Sequence, residues 1–174
     1  MKLDLSKVKY SNNDKRLGIT LPTELTEDLA YFMGVHVGDG YMSIKVRPHA
    51  VDYHFLLGGH LVNDREWYES VIKPLMKKLF HIDVKVLCKK IVKVEFRSKA
   101  LITFLHHSCG IIYSPKKNIE APQIIMAARK SIRAAFLRGV ADTDFSMVFR
   151  KKGTYPSIQH DTYSETLHVS LKAI

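Results

Sequence analysis

The chain has 174 residues, 46% of them apolar, enough to bury one moderate core or two small cores that lean on each other. Lysine and arginine number 27 against 17 aspartates and glutamates, and the formal charge of +10 favours a polyanionic partner, either nucleic acid or an acidic membrane surface. The longest uncharged run, residues 100–114, includes His106, His107 and Ser108 and falls short of the roughly 20 apolar residues that cross a bilayer, which argues against a membrane span.

Residues 1–15 alternate charge and polarity without the apolar stretch of a secretion signal. Cys88 and Cys109 do not make a disulfide scaffold. A cytoplasmic, nucleoid-associated protein in a reducing compartment is the expectation.

Residues 1–25 read as a basic, irregular extension closed by Pro22. Thr26, followed by Glu27 and Asp28, is a good N-cap with acidic residues in the first turn, so a helix begins there. Leu29, Phe32, Met33 and Val37 carry it at helical spacing to Gly38-Asp39-Gly40, where glycine favours a stop. Residues 41–47 and 53–61 alternate like strands around a loop at 48–52, giving a hairpin.

Asn63 or Asp64 caps a second helix with Trp67, Val71, Leu75 and Leu79 on its buried face and a bend at Pro74. Strands at 84–87 and 91–96 follow, around the basic turn Cys88-Lys89-Lys90, and Ser98 caps a third helix ending at Gly110. The first unit is thus αββαββα over residues 26–112. Residues 113–129 read as a linker, with two prolines and the lysines Lys116 and Lys117 taken as solvated. Past it the pattern restarts over 130–174.

Phe32-Met33-Gly34-Val35-His36-Val37-Gly38-Asp39-Gly40 aligns with Leu137-Arg138-Gly139-Val140-Ala141-Asp142-Thr143-Asp144-Phe145, a repeat of 139 − 34 = 105 positions with Gly and Asp in register. Ser131 is expected to cap the second copy as Thr26 caps the first. Gly59-His60 matches Ile158-Gln159 downstream. Gly34 with Gly38, and Ala135 with Gly139, put small residues one turn apart on one helix face, which lets two helices approach at backbone distance.

Both stretches resemble the LAGLIDADG motif of homing endonucleases, and the arrangement resembles the monomeric, archaeal-type intron-encoded members. Val37 stands in place of the first motif Asp and Phe145 in place of the last Gly, but both final acidic positions remain. The resemblance implies an α+β fold of two pseudo-symmetric αββαββα halves, the second cut short, packed through the two motif helices with saddle-shaped antiparallel sheets against DNA. It implies a site-specific double-strand endonuclease that leaves 3′ overhangs, a monomer acting as a pseudo-dimer. Intron RNA is a second candidate partner, and a non-cleaving splicing maturase or regulator is the alternative reading.

In that family Asp39 and Asp144 would hold Mg²⁺ or another divalent cation such as Mn²⁺, with Gly38 and Thr143 beside them at the helix ends. The residues agree: two carboxylates at the negative ends of helices repel each other, and a bound cation compensates. Lys99 matches the lysine near the scissile phosphate, and Gln159, paired with His60, matches the residue that orients water. Lys45, Arg47, Lys85, Lys89, Lys93, Arg97, Arg150 and Lys151 lie on or beside the strands as candidate DNA contacts. Asp142 reads as structural, Trp67 as core, and His106, His107 and Cys109 lack the paired cluster a zinc site needs.

Overall fold

The computed structural model describes residues 1–116, 118–149, 155–160, 162 and 164–174. The N-terminal segment is more ordered than its alternating charges suggest. Leu3, Ile19 and Leu25 are buried, Lys2 bridges to Glu24, and a short helix α1 (Asn12–Arg16) opens on a capping box between Ser11 and Asp14. The fully buried Asp14 also accepts the Ala100 amide at 3.1 Å, so this segment caps another helix in the core. Three apolar residues spaced beyond any single helical or strand period left no pattern to read.

Helix α2 (Glu27–Asp39) starts where Thr26 accepts the Leu29 amide at 3.2 Å. It is buried on every side from Leu29 to Val37 and runs directly into β1 (Gly40–Arg47). Strand β2 (Ala50–Gly59) returns antiparallel with Arg47 opposite Ala50, so the connection is only Pro48 and His49 and the expected loop at 48–52 is mostly strand. Exposure of Val51 and Lys45 at the tip removed the alternation that marks a strand elsewhere.

The next helix is split into α3 (Arg65–Trp67), a π-turn over Tyr68–Ile72 and α4 (Lys73–Phe80). Pro74 cannot donate to the carbonyl one turn earlier, and the wide turn just before it is where the ladder changes register, with the Lys73 amide reaching Tyr68 O. Strands β3 (Val86–Cys88) and β4 (Val92–Arg97) complete an antiparallel sheet in the order β1-β2-β4-β3. Helix α5 (Lys99–His107) is capped by Ser98 and closes the αββαββα unit. Phe32, Phe55, Phe80 and Phe104, all fully buried, form the aromatic spine between helices and sheet.

Residues 113–116 and 118–129 are tied down rather than free. The Ser114 amide donates to Met42 O at 2.8 Å, and α6 (Gln123–Met126) packs within the segment. Helix α7 (Lys130–Asp144) begins at an N-cap of Arg129 without a side-chain cap, so Ser131 lies inside the helix rather than at its start. Strands β5 (Phe145–Val148) and β6 (Ser157–His160) pair antiparallel, and Ser164 caps α8 (Glu165–Lys172). No helix among the described residues is long and apolar enough to cross a membrane.

Two glycines set how closely α2 and α7 pack. A Cβ on Gly34 would overlap the Phe136 carbonyl oxygen and lie 3.0 Å from the Gly139 Cα; one on Gly139 would overlap Tyr31 O and lie 3.1 Å from the Gly34 Cα. Tyr31 pins the same interface: its hydroxyl donates to Asp142 Oδ2 at 2.7 Å and accepts from Trp67 Nε1 at 3.2 Å, with Arg138 over its ring.

Candidate active site

The close crossing brings the helix ends together. A Cβ on Gly38 would overlap the Thr143 hydroxyl and lie 3.2 Å from the Asp144 carboxyl carbon, so the last turns of α2 and α7 touch and their terminal aspartates are neighbours. Asp39 is half-buried, and its pKa is pushed up to about 6, first by loss of hydration and then by the charges of Asp144 and Asp64. Burial raises Asp144 as well, opposed by Lys116 and His160. Two carboxylates held apart from water and close to each other call for positive charge at the place where both helix dipoles are negative.

Lys116 is the cation that faces them. Its ammonium donates to the carbonyls of His36 at 3.0 Å, Val37 at 2.6 Å and Gly38 at 2.7 Å in the last turn of α2, where His36 O also accepts the Gly40 amide. Burial lowers its pKa to about 8, while Asp144 and Asp39 act in the opposite direction. The sequence reading gave Lys116 to solvent, because a Lys-Lys pair between prolines is usually an exposed linker. The signal that could have found it is physical: two acidic helix ends in contact need a cation, and the linker is the segment that must pass them.

Lys99 is not brought to this centre. It caps the far end of the sheet, with its ammonium 5.5 Å over the Tyr53 ring, and Tyr53 pairs with Ile44, four residues along β1 from Gly40. At ~3.3 Å per residue that is about 13 Å of strand. Gln159 is brought near: it pairs with Ser146, two residues past Asp144. Its counterpart is different from the one expected. Gly40 pairs with Leu57 and Phe145 with His160, so Gln159 matches Leu56 and the sequence match to His60 is corrected by the strand registers.

Asp64 and Tyr68 were not anticipated. Asp64 accepts the His60 amide at 2.6 Å; burial first, and then Asp39 and Asp64, raise the pKa of the Tyr68 hydroxyl, whose oxygen is buried without a hydrogen-bond partner among the described residues. Among the described residues no three acidic, histidine or cysteine side chains gather as a ready-made metal cage. A two-carboxylate centre nevertheless suits Mg²⁺ or Mn²⁺, which bind through one or two carboxylates and complete their shell with water and substrate phosphate. Of the two flanking positions, the Gly38 carbonyl already accepts from Lys116, and the Thr143 hydroxyl bonds back to Val140 O at 2.9 Å, leaving its backbone at the helix end.

The alternation of β1, β2 and β4 sorts the expected DNA contacts. Met42, Phe55 and Val94 face the core; Lys45, Arg47, Lys93 and Arg97 share the opposite face with Tyr41, Asp52, His54 and Glu95. Lys85 is exposed before β3 and Lys89 is exposed in the turn after it. Arg150 and Lys151 lie outside the described residues. Sequence reading missed the two carboxylates on this face. Arg97 Nε lies 2.6 Å from Asp52 Oδ1, Arg97 Nη1 3.4 Å from Glu95 Oε1, and Arg47 3.8 Å from Asp52. Lys93 at 2.5 Å and His54 at 3.0 Å also surround Glu95, whose pKa is lowered, by the Lys93 hydrogen bond most of all.

No family model matches the chain, and no curated protein matches it significantly. Solved structures do. A variant of I-DmoI in complex with its nicked target DNA and Mn superposes with a TM-score of 0.52 at 18% identity, over 71% of this chain and 64% of that one. I-DmoI in complex with DNA and Mn gives 0.52 at 16% identity with the same coverage. A structure of mesophilic variants of the homing endonuclease I-DmoI gives 0.51 at 16%, over 69% and 62%. The chain therefore has the mixed α+β fold with antiparallel sheets found in this homing endonuclease, and it spans less than two thirds of the length of those proteins.

Proposed function

We propose that the chain is a divalent-metal-dependent, site-specific DNA endonuclease that cuts both strands, leaves 3′ overhangs and works as one polypeptide with its two motif helices in place of a dimer interface. The observation that carries this reading is the meeting of Asp39, Asp144 and Lys116 at the joined ends of α2 and α7. The fold adds support, since similar structures hold target DNA with Mn or Mg.

In this reading Asp39 and Asp144 hold Mg²⁺ or Mn²⁺, with the Gly38 and Thr143 carbonyls beside them. The bound ion supplies Lewis acidity toward the phosphate and acidifies water. Lys116, fixed by three carbonyls, presents a preoriented positive charge to negative charge accumulating on the phosphate oxygens. It takes the part expected of Lys99, which is about 13 Å along the sheet. Gln159, next to Ser146 on the adjoining strand, orients the attacking water. Lys45, Arg47, Lys85, Lys89, Lys93, Arg97 and, beyond the described residues, Arg150 and Lys151 bind duplex DNA.

The test is incubation with supercoiled DNA carrying the intron-free form of the gene that encodes the chain, in Mg²⁺ or EDTA, for wild type, Asp39→Asn and Asp144→Asn. Metal-dependent linearisation at one site, lost or reduced to nicking in the variants, is expected. Site-specific binding with no cutting in Mg²⁺ or Mn²⁺ overturns the nuclease reading and supports a non-cleaving binder of DNA or intron RNA.

A further inference from the structure

Resting on the DNA-recognition reading above, we propose that Arg97, held by Asp52 and Glu95, reads a single G·C base pair in the major groove, and that Asp52 is its positioning residue. The outer face of β1, β2 and β4 carries four cations, and they are not equivalent. Lys45 has no carboxylate partner among the described residues. Arg97 has two: Asp52 takes Nε at 2.6 Å and Glu95 takes Nη1 at 3.4 Å.

The Nη1–Glu95 hydrogen bond and the Asp52 carboxylate beside Nε restrain the guanidinium. An arginine restrained in this way meets guanine O6 and N7 with part of its rotamer freedom already spent. The carboxylates also say where Arg97 sits relative to the duplex. A surface tracking phosphates gains nothing from Asp52 and Glu95, which repel the backbone. Over base edges they are useful, because the donor fork beside an acceptor matches a G·C pair, with O6 and N7 accepting on guanine and the N4 amino group donating on cytosine.

Glu95 is paired with Lys93 as well as Arg97, so the patch stays close to neutral around the arginine. Lys45, Lys85 and Lys89, exposed and outside this network, are suited to phosphates.

The experiment is selection from a randomised duplex pool in Ca²⁺-containing buffer, followed by fluorescence anisotropy on the enriched duplex and its single-base-pair variants at several salt concentrations. Wild type is expected to enrich a motif with an invariant G·C pair. Arg97→Ala should lose discrimination at that pair, by roughly 5- to 150-fold, and keep it elsewhere. Arg97→Lys, which cannot fork, should lose most of it, and Asp52→Asn should relax the same pair while leaving the melting temperature unchanged. Uniform weakening with a shallower salt dependence in Arg97→Ala makes the residue a phosphate contact and overturns the assignment, as does an unchanged motif. If wild type enriches no motif at all, the DNA-recognition reading fails and the assignment fails with it.

Discussion

Gly34 on α2 and Gly139 on α7 lie face to face, with no room for a methyl group on either: each would run into a main-chain carbonyl of the opposite helix. Gly34→Ala and Gly139→Ala therefore demand backbone movement at the centre of the molecule. Overpacking of this kind costs about 1–3 kcal/mol or more. For a chain of this size each kcal/mol lowers the melting temperature by roughly 2–4 °C. Thermal unfolding followed by circular dichroism checks this, and wild-type melting temperatures for both variants would refute the packing argument.

Lys116→Met should cost about 10²- to 10³-fold in single-turnover cleavage, the range for loss of one preoriented charge. Because burial brings the Lys116 pKa down to about 8, the wild-type rate should fall as pH rises through that value and the ammonium loses its proton. Lys116→Arg stays charged throughout, so any activity it retains should lack this alkaline limb. A limb of the same position in the arginine variant assigns the titration to another group.

The metal-free protein should lose stability as pH rises from about 4 to 6. The folded pKa of Asp39, about 6, lies above its ordinary value of 3.8. Below both values the group is neutral in both states and nothing is lost; through the window the unfolded chain ionises more easily, and above it the full penalty applies. Urea midpoints in EDTA at intervals from pH 4 to 7 should show a steeper decline for wild type than for Asp39→Asn. Mg²⁺ should restore the wild type. Parallel curves for the two proteins would count against the raised pKa.

The hydroxyl of Tyr31 couples two helices through Asp142 and one more through Trp67. Tyr31→Phe should destabilise by about 1–3 kcal/mol, since it removes a hydrogen bond to a charged group. A double-mutant cycle with Asp142→Asn should return a coupling of at least about 0.5 kcal/mol, and additive effects would show that the bond contributes nothing.

Much of the site was legible because it is written in short-range patterns. Thr26 and Ser98 cap the helices expected of them, the two Gly-x-x-x-x-Asp stretches meet as their spacing implies, and Arg97, Lys93, Arg47 and Lys45 alternate onto one face. What was not legible depends on tertiary approach. Lys116 reaches the two carboxylates only because Ser114 is pinned to Met42 and turns the linker across the end of α2. Asp52 and Glu95 meet at Arg97 because β4 lies beside β2 as well as beside β3, its neighbour in sequence. Ser131 failed as a cap because the helix already begins at Lys130 behind an Arg129 N-cap, a boundary that propensity sets poorly. The His60–Gln159 match failed because hairpin length, which fixes strand register, differs between the two units.

The glycine contact separates two properties that respond differently to substitution. The spacing of Asp39 and Asp144 is set by main chain against main chain, so exchange of surface side chains leaves it untouched. The outer face of the sheet has no such constraint: Lys45 and Arg47 can be replaced without disturbing the core. Under the proposed function, the DNA sequence that is read can therefore be changed by substitution on the sheet while the distance between the two carboxylates stays fixed.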